Sequence, residues 1–216
     1  MKNLVVSEAI KTKLLKKHQV TIREVEHCFS NREGRLLYDN RALTKTNPPT
    51  LWFIALTNQN RKLKIAYIQK CDQVILKTAY EPNDVELAIY ERFGMVASSA
   101  VQPRRLHMTK KIKDTEQAWD ARTLGAEAEF VGVADASHEQ ALEDALELQA
   151  ISIRLPKELI RNYKLIAEFH GVGYQPLMRD VLQRFVPAEL KHILETQLKA
   201  AKTKQQPALI PERKAA

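Results

Sequence analysis

Residues 50–80 read TLWFIALTNQNRKLKIAYIQKCDQVILKTAY. Three short runs rich in β-branched and aromatic residues follow one another, TLWFIALT, KLKIAYIQ and QVILKTAY. Asn58-Gln59-Asn60 and Lys70-Cys71-Asp72 punctuate them. Turns this short leave no room for a crossover, so the three strands must form an antiparallel meander.

On the N-terminal side, SEAIKTKLLKKH places Ile10, Leu14 and Leu15 on one stripe with lysines between, which predicts an amphipathic helix starting near Ser7. Thr21 followed by Glu24 has capping-box spacing, and Ile22, Val25 and Phe29 line one face of the helix it opens. On the C-terminal side, PNDVELAIYERFG predicts a third helix, with Pro82 near its start, Val85, Ile89 and Phe93 on its stripe and Gly94 just past its end. The order helix, helix, three strands, helix is an α+β domain with helices on one face of a small sheet.

The motifs KKHQVTIREVEHCFSN, YDNR, LKIAYI and VILKTAYEPNDVELAIYERF, taken in order, resemble the BrnT toxins, small ribonucleases of the RelE-like fold. That resemblance covers residues 10–94 and implies cleavage of RNA. Its third strand commonly ends in an arginine, where this chain has Lys77-Thr78-Ala79-Tyr80. Metal-free cleavage of RNA needs a base for the 2′-hydroxyl, a cation for the charge gathering on phosphorus and an acid for the leaving oxygen. His18, Arg61, Lys77, Tyr80 and Glu81 are the candidates for those roles, with Lys62, Lys64 and Arg41 as RNA contacts and Arg23 and Arg32 behind them. Each has a plainer reading: Lys62 and Lys64 alternate with Leu63 and Ile65 as a solvated strand face does, and His18 suits a helix C-terminus. Lys77 interrupts the apolar run VILKTA, where a charge is expensive unless something meets it.

Residues 149–187, QAISIRLPKELIRNYKLIAEFHGVGYQPLMRDVLQRFVP, carry the second pattern. Ile151, Ile153 and Leu155 alternate with Ala150, Ser152 and Arg154. Pro156 then opens a helix with Leu159, Tyr163, Ile166 and Phe169 as its stripe, and Gly171 and Gly173 end it. A further helix follows, with Leu177, Met178, Val181, Leu182, Phe185 and Val186 in pairs. A lone strand cannot satisfy its own backbone, so the residue 149–155 strand is expected to pair with its twin in a homodimer, as a two-stranded ribbon that fits a DNA major groove. The stretch resembles the ribbon-helix-helix repressors of the CopG and Arc type. The resemblance implies that Ser152 and Arg154 read base edges, that Ala150 touches a thymine methyl, and that Gly173, Tyr174 and Gln175 hold a phosphate through backbone amides.

Between the two patterns lies MTKKIKDTEQAWDARTLGAEAEFVGVADASHEQALEDALELQ, residues 108–149, which resembles the acidic start of BrnA antitoxins. Formal charge follows the same division: +8 for residues 1–107, −6 for 108–150 and +6 for 151–216. Ser137 and Gln140 have capping-box spacing. The helix after them carries Glu139, Glu143, Asp144 and Glu147, which can lie over the basic first block, with Trp119 and Phe130 as anchors, or can stay solvated as a spacer.

The expected organisation is therefore a RelE/BrnT-like domain at 1–94, a linker at 95–107, an acidic covering segment at 108–148, a ribbon-helix-helix domain at 149–187 and a C-terminal helix with a flexible tail at 188–216. The reading is a type II toxin and antitoxin on one cytoplasmic chain, with RNA as substrate, operator DNA as partner and no cofactor or metal. The alternative is a DNA-binding regulator whose toxin-like domain is inactive and serves as a protein-interaction module. Cys28 and Cys71 lack the spacing of a zinc site. The longest apolar run, Leu51–Leu56, is far too short to span a bilayer.

Overall fold

A computed structural model describes residues 1, 3–43, 48–95, 111–149 and 151–205. The chain divides into two compact units, Met1–Tyr174 and Gln175–Ala216. Met108 and nearly all of the expected linker lie outside the described residues, as does Ala150.

The first unit is built on the meander. Strands β4 (Thr50–Leu56), β5 (Lys62–Lys70) and β6 (Gln73–Tyr80) pair antiparallel, with a bulge in β6 at Lys77, opposite Ala66 and Tyr67 of β5. Three strands that the sequence did not announce complete the sheet: β1 (Leu4–Val5) parallel to β6, β2 (Leu37–Asp39) against β4, and β8 (Val131–Val133) against the outer edge of β2. The strand order is β1-β6-β5-β4-β2-β8. A second, two-stranded ladder joins β3 (Ala42–Leu43) in parallel to β7 (Ile112–Lys113).

The helices start where side chains can cap them. Ser7 caps α1 (Glu8–Lys13), which widens into a π-helical turn over Leu14–His18 and stops at Gln19, a left-handed residue with φ 53°. Thr21 and Glu24 close the expected capping box on α2 (Ile22–Ser30), and Asn83 with Glu86 closes another on α3 (Asp84–Phe93). Such caps each contribute about 1 kcal/mol. Helix α5 (Ala136–Leu146) begins two residues before the expected site, because Asp135 and not Ser137 accepts the first amide.

Both faces of the sheet are covered, which corrects the one-faced expectation. On one face Phe29 of α2 packs edge-on to Phe53 and Tyr67, with Val25 and Cys28 fully buried beside it. On the other, Trp52 meets Tyr90 of α3, and the residues after 111 supply the remaining cover: Trp119 on α4 (Glu116–Asp120), Leu124, Val131, Leu142, Ala145 and Leu146 are all buried in the same core. The acidic segment is thus part of the first fold, the covering arrangement rather than the solvated spacer that its charge pattern also allowed.

Residues 151–156 form no strand within the single chain, and Ile151 and Ile153 are exposed. Helix α6 (Lys157–His170) ends at Gly171 in a left-handed turn, φ 65°. Of its expected stripe, Leu159, Ile166 and Phe169 are exposed, Phe169 by 86%, and Tyr163 is half-buried. The second unit is a continuation of one helix, α7 (Tyr174–Gln205), which runs through Pro187 where a break between two helices was expected. Leu182, Phe185, Leu190, Ile193, Leu194 and Leu198 are exposed along it.

Candidate functional site

Lys77, His18, Arg41 and Arg32, four of the basic residues singled out in the sequence, are each met by a carboxylate of the 111–148 segment. Lys77 reaches Asp114, Nζ to Oδ1 at 2.5 Å. Asp120, its side chain 4% exposed, stands among Lys13 at 3.4 Å, Lys17 at 3.2 Å and His18 Nε2 at 3.4 Å, and accepts the Thr78 hydroxyl at 2.5 Å. Glu127 pairs with Arg41 at 2.7 Å, whose guanidinium lies 4.0 Å over the Phe130 ring. Glu139 pairs with Arg32 and accepts the Leu36 amide, and Glu143 lies 3.7 Å from Arg32. Lys77 therefore has the partner its apolar strand demanded, and Trp119, fully buried, is the anchor the sequence suggested.

Backbone contacts fix the segment in place. The β2–β8 ladder, Ala134 N to Leu36 O at 2.8 Å and Ile112 N to Arg41 O at 3.0 Å hold its two ends. Asn3 and Gln69 donate to the Ala145 and Ala141 carbonyls of α5.

A second cluster lies deeper. Lys64 is fully buried, which corrects its reading as a solvated strand residue; Lys62, two positions away, is the exposed one. Lys64 Nζ donates to Glu86 Oε1 at 2.8 Å and to the Gly125 carbonyl at 2.9 Å, and sits 4.2 Å over the Trp52 ring. Tyr80, opposite Lys64 in the ladder, has its hydroxyl 2.9 Å from Glu86 Oε1 and 3.1 Å from the Trp119 carbonyl. Arg122 reaches Glu86 Oε2 at 3.1 Å. Burial pulls the Lys64 ammonium down to about 8 against the raising influence of Glu86, and burial with the nearby Glu86 charge pushes Tyr80 far up. Glu86 was missed in the sequence because it reads as an ordinary capping residue; its second partner, a lysine from mid-strand, is invisible to spacing.

The structure does not bring all the candidates together. Arg61 is committed locally, to Glu24 at 3.1 Å, Glu81 at 3.6 Å and the carbonyls of His18 and Gln19. His18 lies 5.7 Å from the Tyr80 ring, so these two and Lys77 border the Asp114–Asp120 contact. Arg23 is exposed. Ser152 and Arg154 are exposed, Tyr174 lies 5.3 Å from Lys164 Nζ, Gln175 opens the second unit, and the Gly173 amide donates to the Asn58 carbonyl at 3.1 Å rather than standing open to a phosphate. Among the described residues no group of three His, Cys, Asp or Glu could hold a metal ion, and no helix is long and apolar enough to cross a membrane.

The sealed cluster gives the fold a pH dependence. Burial holds the His18 pKa below 6.5 despite Asp120, aided by Lys17 and Lys13. Burial also pushes Asp120 up, but Thr78 and the surrounding cations outweigh it and hold the carboxyl below 3.8. For His18 the unfolded chain binds the proton more readily, so its contribution is complete above pH 6.5 and erodes as the pH falls below that; the Asp120 contribution is lost only at still lower pH. The thermal midpoint is expected to drop on acidification below pH 6.5, and His18→Asn to flatten that part of the profile; an unchanged slope would remove His18 from the account.

An α+β domain whose cationic face is closed by an acidic segment of its own chain is the class that this fold and site define. No family model and no solved structure matches the chain. It is 37% identical over 84 residues to uncharacterized protein PM1122 of Pasteurella multocida (strain Pm70), a match spanning 39% of this chain and 78% of that protein. The chain belongs to the same family as that protein.

Proposed function

We propose that the chain is a toxin and its antitoxin on one polypeptide: an RNA-cleaving N-terminal domain held shut by residues 111–148, followed by a region that dimerises and binds operator DNA. The observation that carries this reading is the placement of Asp114 and Asp120 against Lys77, Lys13, Lys17 and His18. Carboxylates 2.5–3.4 Å from these three lysines and from His18 stand where phosphate oxygens of RNA would be attracted by the lysine charges. The residue motifs that resemble BrnT and BrnA point the same way. As part of the same chain, the cover competes with RNA at an effective concentration of the order of millimolar.

The test is RNA cleavage by the full chain beside a variant with Asp114→Asn and Asp120→Asn. Cleavage gained by the variant supports the reading. Absence of cleavage by a variant whose 111–148 segment has become protease-sensitive would rule out the ribonuclease. Engagement of Arg61 with Glu24 and Glu81 favours a second reading, a DNA-binding regulator whose first domain has no catalysis and serves as a protein-interaction module.

For the DNA-binding half, the support is the unpaired residue 151–155 segment with exposed Ser152 and Arg154, next to helices whose apolar residues are open to solvent. Arg154→Ala is expected to weaken operator binding by about 1–3 kcal/mol while leaving dimerisation intact. Equal affinity of the parent for operator and scrambled DNA, in a salt titration, would remove the repressor.

A further inference from the structure

We propose that Lys64, Glu86 and Tyr80 form the reaction centre of the N-terminal domain, and that residues Trp119–Gly125 are the plug that seals it. This rests on the ribonuclease reading above and assigns the chemistry to residues that lie beneath the cation row.

Packing does not account for this cluster. A fully buried lysine–carboxylate pair at the middle of a sheet is no better for stability than apolar side chains of the same volume, because desolvation offsets the attraction. Every member of the cluster also has one of its polar partners supplied by the covering segment: the Gly125 carbonyl for Lys64, the Trp119 carbonyl for Tyr80, the Arg122 guanidinium for Glu86. Gly125 is shaped for that task. Its φ is +68°, and a Cβ there would fall 2.7 Å from the Trp119 ring and 2.9 Å from Lys64 Nζ. With the plug withdrawn, an ammonium, a phenol and a carboxylate face the space vacated by the Trp119 indole, 5.5 Å from Lys64 Nζ. His18, 5.7 Å from Tyr80, joins this centre to the cations that hold the rest of the RNA backbone.

The set is complete for metal-free transesterification. Glu86 takes the proton of the 2′-hydroxyl as the O2′–P bond forms. The Tyr80 hydroxyl donates to a non-bridging oxygen, and Lys64 gives its proton to O5′ as the P–O5′ bond breaks. The products are a 2′,3′-cyclic phosphate and a 5′-hydroxyl. Glu86, 2.8 Å away, then returns its proton to Lys64 and both groups are restored. An ammonium brought down to about 8 releases its proton far more readily than an exposed lysine.

The test opens the full chain with Trp119→Ala and Asp120→Asn and follows cleavage of a labelled single-stranded RNA, with Lys64→Arg, Glu86→Gln or Tyr80→Phe added in turn. Glu86→Gln and Lys64→Arg are expected to slow cleavage by ~100-fold or more while RNA binding persists, since arginine keeps the charge but does not surrender a proton. Cleavage untouched by both substitutions overturns the proposal and leaves the ribonuclease standing; absence of cleavage by the opened chain overturns both. A second measurement separates chemistry from folding. In the sealed chain, Lys64→Met with Glu86→Gln is expected to leave the thermal midpoint within a few degrees of the parent, and a collapse of the fold would mark the pair as structural and sink the assignment.

Discussion

Asp120→Lys is expected to destabilise the first unit by about 3–5 kcal/mol, the range for removing one member of a buried ion pair and leaving its partners unmatched. The position is 4% exposed and surrounded by Lys13, Lys17 and His18, with the Thr78 hydroxyl beneath it. A lysine there adds a third ammonium beside Lys13 and Lys17 in place of the carboxylate that faced them, and takes from His18 and Thr78 the oxygen they met. The loss should fall on the closed arrangement rather than on the meander, whose buried residues on the α2 face do not touch this site. Denaturant unfolding gives the size of the effect. Protease sensitivity of 111–148 gives its location, and a loss confined to α1 and α2 would contradict the seal.

Trp119→Ala should cost a similar amount, about 3–5 kcal/mol, for a different reason. The indole is fully buried, its Nε1 donates to Asp114 at 2.7 Å, and it packs near Lys64 and Gly125. Truncation leaves a cavity over a charged lysine and frees the carboxylate that meets Lys77. Phe130→Ala serves as the comparison, since that ring is only partly buried beneath Arg41 and should lose less. Equal effects at the two positions would mean that area, not location over Lys64, sets the cost.

The meander, the Thr21 capping box, the Ser7 start and the end of α3 at Gly94 were legible in the sequence because each is set by neighbours a few residues apart. Strand β8 was not. Val131-Gly132-Val133 is too short to signal a strand, and its pairing with Leu37–Asp39 depends on contacts across more than 90 residues of chain. Lys64 failed for the same reason: its alternation with Leu63 and Ile65 is that of a solvated face, and the groups that enclose it, Trp52, Glu86, Trp119 and Gly125, come from other elements of the fold. The acidic balance of residues 108–150 did anticipate a basic target. It pointed to the helix at 136–146, however, whereas that helix meets Arg32 and the cluster at Lys77 and His18 is met earlier, by Asp114 and Asp120. Pro187 misled because a proline usually ends a helix, and α7 carries it internally.

The β2–β8 ladder also sets an order of events during synthesis. Residues 1–95 hold every strand of the large sheet except β8, so on a ribosome the meander and its cations can assemble while the closing strand has yet to be made. At about 5–20 residues per second, the stretch from Met95 to Val133 takes roughly 2–8 s to add. For those seconds β2 is an edge with unpaired amides and carbonyls, open to any extended segment nearby. Each newly made chain therefore passes through a brief uncovered stage before its own later residues arrive to close it.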